Sequence, residues 1–227
     1  MVTEVLGHGV YSFSEAARLV GSSRRRVRTW FVGAPDQQRL VQGDYACASA
    51  PGGVLSFLDL IDVCIVSRLR AKNISLQYIR KVHDVLLDEF SQPHPFSRRG
   101  LFTDSARKKV FLHVADDMGE ERLRELLSGQ HAFPSILLPV LDQVDYDPSS
   151  LLARRWNMGS GVTIDPARQY GKPIVESAGI PTSVLAAAFY ANEGNAHAVA
   201  KWYGVDVGEV RTAVHFEQSL DTGRHAA

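Results

Sequence analysis

Apolar residues recur at Phe13, Ala16, Ala17 and Val20, the i, i+3, i+4, i+7 spacing of one helical face. Ser12 with Glu15 gives an S-x-x-E capping box at the start of that helix, and Gly21 can take the left-handed conformation that ends it. A second stripe follows at Val27, Trp30 and Phe31, with Ser22 or Ser23 placed to cap its helix. The pattern predicts helix, tight glycine turn, helix: a helix-turn-helix ending near Val32, where Gly33-Ala34-Pro35-Asp36 breaks it. Leu40-Val41 and Tyr45-Ala46-Cys47 read as short extended pieces. Ala50-Pro51-Gly52-Gly53 reads as a turn and Val54 to Phe57 as a returning strand, together a wing. Ser56 with Asp59 caps a third helix over about 57–71, with Leu58, Ile61, Ile65 and Leu69 on its core stripe. Ser75 caps a fourth over 76–90, with Leu76, Ile79, Val82, His83, Leu86 and Phe90 on one face.

Beyond Pro93, Pro95 and Gly100 the pattern weakens. Leu101 to Thr103 and Val110 to Val114 alternate as a hairpin, Glu120 to Leu127 as a short charged helix, and the stretch around Pro134 and Pro139 as packed helix turns. Asp145 to Ser150 reads as a hinge. Three helices are predicted at the end: Ser183 to Glu193, Ala196 to Tyr203 ending at Gly204, and one capped by Asp206 with Glu209 that runs to Leu220. The expected fold is mainly α with small β-hairpins. The expected domains are a winged helix-turn-helix over 1–92, a connector over 93–158, and a helical helix-turn-helix-like unit over 159–227.

Charge sharpens the first unit. The 227 residues carry 25 basic and 25 acidic side chains, so affinity for nucleic acid cannot come from bulk charge and must come from a local patch. No acid lies between Glu15 and Asp36 to balance Arg18, Arg24, Arg25, Arg26 and Arg28. Arg25, Arg28 and Thr29 fall opposite the apolar stripe, with Arg24 and Arg26 on its flanks. Arginine suits bidentate contacts to phosphate and guanine. Ser22, Arg24, Arg25, Arg26, Arg28 and Thr29 are the candidate DNA-binding residues; the alternative is a solvated surface face. In the last helix Glu209 and Glu217 offset Arg211, so that unit is expected to meet protein rather than phosphate.

Catalytic chemistry is not expected. Gly7-His8-Gly9 lacks the rest of a nucleotide loop, and there is no H-E-x-x-H or nucleophile elbow. Asp116-Asp117 with Glu120-Glu121 reads as a polar helix start, and His83 as a core or interface histidine. Cys47 and Cys64 form no C-x-x-C; Cys64, in an apolar run, is expected to be buried packing. Neither cofactor nor metal is expected. With no secretory signal and no membrane-spanning run, the location expected is cytoplasmic.

The segment Tyr11 to Leu19, with Arg28-Thr29-Trp30, Leu55 to Leu60 and Ile74 to Arg80, resembles the MerR-type winged helix-turn-helix. That resemblance covers residues 11–90 and implies double-stranded DNA as ligand and a homodimer as the binding form. No cysteine-bearing loop follows a long dimerisation helix, so no metal effector is implied. Asp165-Pro166, Gly171-Lys172-Pro173, Gly179 to Thr182, Val199 to Gly204 and Val210 are similar to a small helical antitoxin domain paired with PIN-like ribonuclease toxins. That pattern has glycine and a basic residue where this chain has Glu176-Ser177-Ala178. The order of the two modules resembles mycobacterial VapB-type antitoxins. The resemblance implies operator autorepression and toxin neutralisation, with Arg168, Lys172 and Arg211 as candidates to meet the toxin's carboxylates. A stand-alone regulator controlled by a small effector, and an interaction protein that does not touch DNA, remain the alternatives.

Overall fold

The computed structural model describes residues 7–33, 39–45, 53–91, 93–98 and 140–222. The tip of the expected wing with Cys47, the 101–114 hairpin, the 120–127 helix and the Asp116–Glu121 acids lie outside the described residues. A two-residue strand β1 (Tyr11–Ser12) leads into α1 (Phe13–Leu19) and α2 (Arg24–Val32). Strand β2 (Val54–Leu55) precedes α3 (Phe57–Ala71) and α4 (Leu76–Phe90), and Pro95–Ser97 makes a short 3-10 turn. Strands β3 (Val144–Tyr146), β4 (Ala153–Gly159), β5 (Val162–Ile164), β6 (Pro173–Val175) and β7 (Ile180–Pro181) then form one sheet. Helices α5 (Thr182–Ala191), α6 (Ala196–Tyr203) and α7 (Val207–Asp221) end it.

The local capping chemistry acts as the sequence implies. Ser12 Oγ accepts from the Glu15 amide and Glu15 Oε2 accepts from the Ser12 amide at 2.8 Å, closing the box on α1. Ser56 and Asp59 do the same for α3. Gly21 has φ +63°, which lets α1 turn directly into α2. The returning strand is placed differently from the reading as a wing arm: β2 pairs antiparallel with β1, Tyr11 facing Leu55 and Ser12 facing Val54. The chain after α2 is instead tied back by the Leu40 and Val41 amides, which both donate to Trp30 O.

The expected mainly α fold is corrected by a five-stranded antiparallel meander in the order β3-β4-β5-β6-β7. Its strands lie where the sequence reads as hinge and helix lead-in. They are two to seven residues long, and shifts of register at Asp145/Tyr146 and Asn157/Gly159 interrupt the inside-outside alternation. Pro181 sits on the edge strand, where a missing amide costs no ladder bond. Ser160 and Gly161, at φ +51° and +77°, form the tight turn between β4 and β5.

One apolar core runs through both ends of the chain. It joins Phe13, Val27, Trp30 and Phe31 to Leu60 and Ile65 of α3, to Trp156, Met158 and Ile164 of the sheet, and to Phe216 and Leu220 of α7. Cys64 is buried within it, and burial pushes its thiol up to about 11. A smaller cluster of Val175, Leu185, Val199, Val210 and Ala213 holds α5, α6 and α7 together. No helix among the described residues is long and apolar enough to cross a membrane.

Candidate nucleic-acid interface

The roll of α2 is set by what it buries. Val27, Trp30 and Phe31 are at most 4 % exposed, and Phe31 packs on Phe13 of α1. The opposite face is therefore turned to solvent: Arg24, Arg25, Arg26 and Arg28 are all exposed. Ser23 is the cap, its Oγ accepting from the Arg26 amide. Ser22 and Thr29 are half-buried; the Ser22 amide donates to Ala17 O, and the Thr29 hydroxyl donates to Arg25 O at 2.8 Å. No ion pair engages these four arginines among the described residues. The helix thus presents four guanidinium groups on about one and a half turns, next to its own N-terminus. Such a surface complements a phosphate backbone and fits the width of a major groove.

Arg18, on α1, belongs to another structure. Its guanidinium meets Glu217 Oε2 at 2.8 Å and Asp221 Oδ1 at 2.7 Å, both on α7. Burial works against its charge, but the two carboxylates outweigh that and raise its pKa. Beside it the buried Tyr11 hydroxyl donates to Gly171 O at 2.7 Å, and Tyr170 O accepts from the Val10 amide. The helix-turn-helix is therefore fastened to the C-terminal unit at α1, and the arginine face of α2 stays exposed.

The other three candidates are spread apart. Lys172 is exposed and lines a hollow with Glu15, Arg18, Ser183 and Glu217. Arg211 is exposed on α7 in a separate hollow with Ser160, Thr212, His215 and Gln218. Arg168 is half-buried and lies over Gly179, its Nη2 2.8 Å from where a Cβ on that glycine would sit. The acids that offset Arg211 in the sequence are engaged internally. Glu209 accepts from the Ser177 hydroxyl and the Asp206 amide, and Glu217 binds Arg18 and Thr182. Exposed aromatics also gather on this unit, with Trp202 at 66 % and Tyr190 at 56 %. Nothing in the local pattern separates them from core residues of short helices.

A polar cluster that the sequence reading passes over lies under α3. His94 Nδ1 is 2.8 Å from Asp62 Oδ2, and its Nε2 is 2.8 Å from Asp44 Oδ1. Ser97 Oγ donates to Asp62 Oδ1 at 2.9 Å, and Asp59 Oδ2 accepts from the Ser56 and Asp44 amides. Asp59, Asp62, Ser97 and His94 are all buried. Burial alone would lower His94, but the two carboxylates on its ring raise it well above the ordinary imidazole range. Burial raises Asp59 against the opposing pull of His94. The signal in the sequence is two acids, Asp59 and Asp62, three apart in the apolar first half of α3. His83 is a core histidine as expected, buried edge-on to Phe96, and burial lowers its pKa.

No family model matches the chain. Over 224 residues it is 26 % identical to a Mycobacterium tuberculosis protein named "Putative antitoxin VapB45", covering 90 % of this chain and 92 % of that one. Its fold is similar to the crystal structure of Rv2018 from Mycobacterium tuberculosis, with a TM-score of 0.66 and 26 % identity, covering 90 % of this chain and 96 % of that one. Both likenesses extend over nine-tenths of the chain, so they concern the fold as a whole rather than one module.

Proposed function

We propose that this protein is the antitoxin of a toxin–antitoxin pair, which represses its own operon through α2 and neutralises a PIN-like ribonuclease through its C-terminal unit. The observation that carries the reading is the likeness, along nine-tenths of the chain, to a protein named as an antitoxin. The exposed arginine face of α2 supports the DNA half. Arg24, Arg25, Arg26 and Arg28 contact phosphates and base edges, Ser22 and Thr29 border them, and a homodimer presents two such helices to one operator. In the toxin half, Lys172 and Arg211 are the freer cations to meet a carboxylate-lined active site, with Arg168 held nearer its own backbone. Binding there tunes operator affinity through the Arg18 contacts to α7.

The test is to purify the tagged full chain from its native host at moderate salt and identify what accompanies it. A small PIN-like nuclease in stoichiometric amount supports the antitoxin reading. Clean protein that still binds its own upstream DNA overturns it in favour of an effector-controlled regulator.

A further inference from the structure

We propose that Asp44, Asp59 and His94 form a binding site for a divalent transition-type cation, with zinc the ion that fits best, and that Asp62 and Ser97 are its outer support. One ligand atom from each of the three residues lies within 4.8 Å of the others. They come from three separate segments: the chain after α2, the first turn of α3, and the residue ahead of the 3-10 turn.

Two features set this cluster apart from an ordinary buried ion pair. The first is Asp59 Oδ1. It is buried, 3.7 Å from His94 Nδ1, and has no hydrogen-bond partner. A carboxylate oxygen withdrawn from water normally finds a donor, so its lone pairs are left for something other than the protein. The second is the convergence of the side chains. Three carboxyl groups, two of them with no exposed side-chain surface, converge on one imidazole.

The surroundings also fix which nitrogen would bind. Asp62, itself held by the Ser97 hydroxyl, accepts from Nδ1 and so directs Nε2 towards Asp44. A carboxylate behind a histidine is the usual way in which a metal-binding ring is oriented and made more basic. The cation then replaces the proton between Nε2 and Asp44. Asp44 is 31 % exposed at the side chain and borders a hollow with Gln42, Gly43 and Pro93, which provides the entry path. One imidazole nitrogen with carboxylate oxygens matches zinc, whereas calcium and magnesium favour oxygen throughout. Water would take the remaining position. So placed, the ion braces the segment that follows the arginine helix against α3.

The experiment strips the full-length protein with a chelator, then titrates it with zinc sulfate while heat of binding and melting temperature are read. The expected result is one zinc per chain and a melting temperature several degrees higher. Asp44→Asn, at the exposed edge of the site, should keep the circular dichroism spectrum and lose both effects. Asp62→Asn should weaken zinc by about 10- to 100-fold without abolishing it. His197→Asn, at an exposed histidine on α6, should change nothing. Failure of the unaltered protein to bind a stoichiometric ion overturns the proposal. So does binding of equal strength in Asp44→Asn, which would leave the cluster as an ion-pair network alone.

Discussion

The chain builds two helix–glycine–helix units with nearly the same turn, Gly21 at φ +63° and Gly204 at φ +65°. The Ser23 hydroxyl caps α2, the Glu209 carboxylate accepts from the Asp206 amide at the start of α7, and both helices bury an apolar stripe. They differ in where their charges go. Among the described residues the arginines of α2 have no acid partner, and they stand in solvent. On α7 Glu209 closes a capping box and holds Ser177, while Glu217 and Asp221 hold Arg18 across the molecule. The first unit leaves its charge on the surface; the second uses its acids to hold the protein together. The net charge of a helix face in sequence therefore differs from the charge that face presents.

The strongest way to break this comparison is at the shared core. Trp30→Ala should cost about 3–5 kcal/mol in urea unfolding, as a deleted buried aromatic does. Because Trp30 lies in one cluster with Phe216 and Leu220, fluorescence and circular dichroism should lose both units in one transition. An unchanged, separate transition for α5–α7 would mean that the units are independent.

Next comes the charge itself. Arg25→Ala with Arg28→Ala should weaken binding to the protein's own upstream DNA by about 10- to 100-fold and flatten its salt dependence by about two units, read by anisotropy over a salt series. Arg211→Ala with His215→Ala should leave both unchanged. Equal losses from the two pairs would make the units alike as DNA ligands.

Smaller effects sharpen the turn and the clamp. Gly204→Ala meets no neighbouring atom, so its cost of about 1–2 kcal/mol should be backbone strain alone. Arg18→Ala should lower stability by less, about 1 kcal/mol or under, since its side chain is 41 % exposed and salt screens the pair. It should also loosen the dependence of DNA affinity on the C-terminal unit, seen as a smaller effect of any C-terminal ligand on operator binding.

Legibility in the sequence followed distance along the chain. The seven α-helices of the described residues are readable because caps such as Ser12–Glu15 and stripes such as Val27–Trp30–Phe31 are local. The arginine face of α2 was readable for the same reason. The sheet is not, because its strands are two or three residues long except β4, are interrupted at Asp145 and Asn157 and carry Pro173 and Pro181, so no sustained period of two appears. Arg18 looked like one more free cation because its partners lie 199 and 203 residues away. The cluster around His94 was hidden likewise, since Asp62 and Asp44 are 32 and 50 residues from it.

The fastening of α1 to the end of the chain has a consequence for how the molecule is made. Tyr11 reaches Gly171 across 160 residues, and Arg18 reaches Asp221 across 203. Synthesis delivers the arginine helix well before the side chains that complete its support. Contacts closed over such long loops form late. A nascent chain, or one cut before α7, thus carries the arginine helix without the finished platform beneath it.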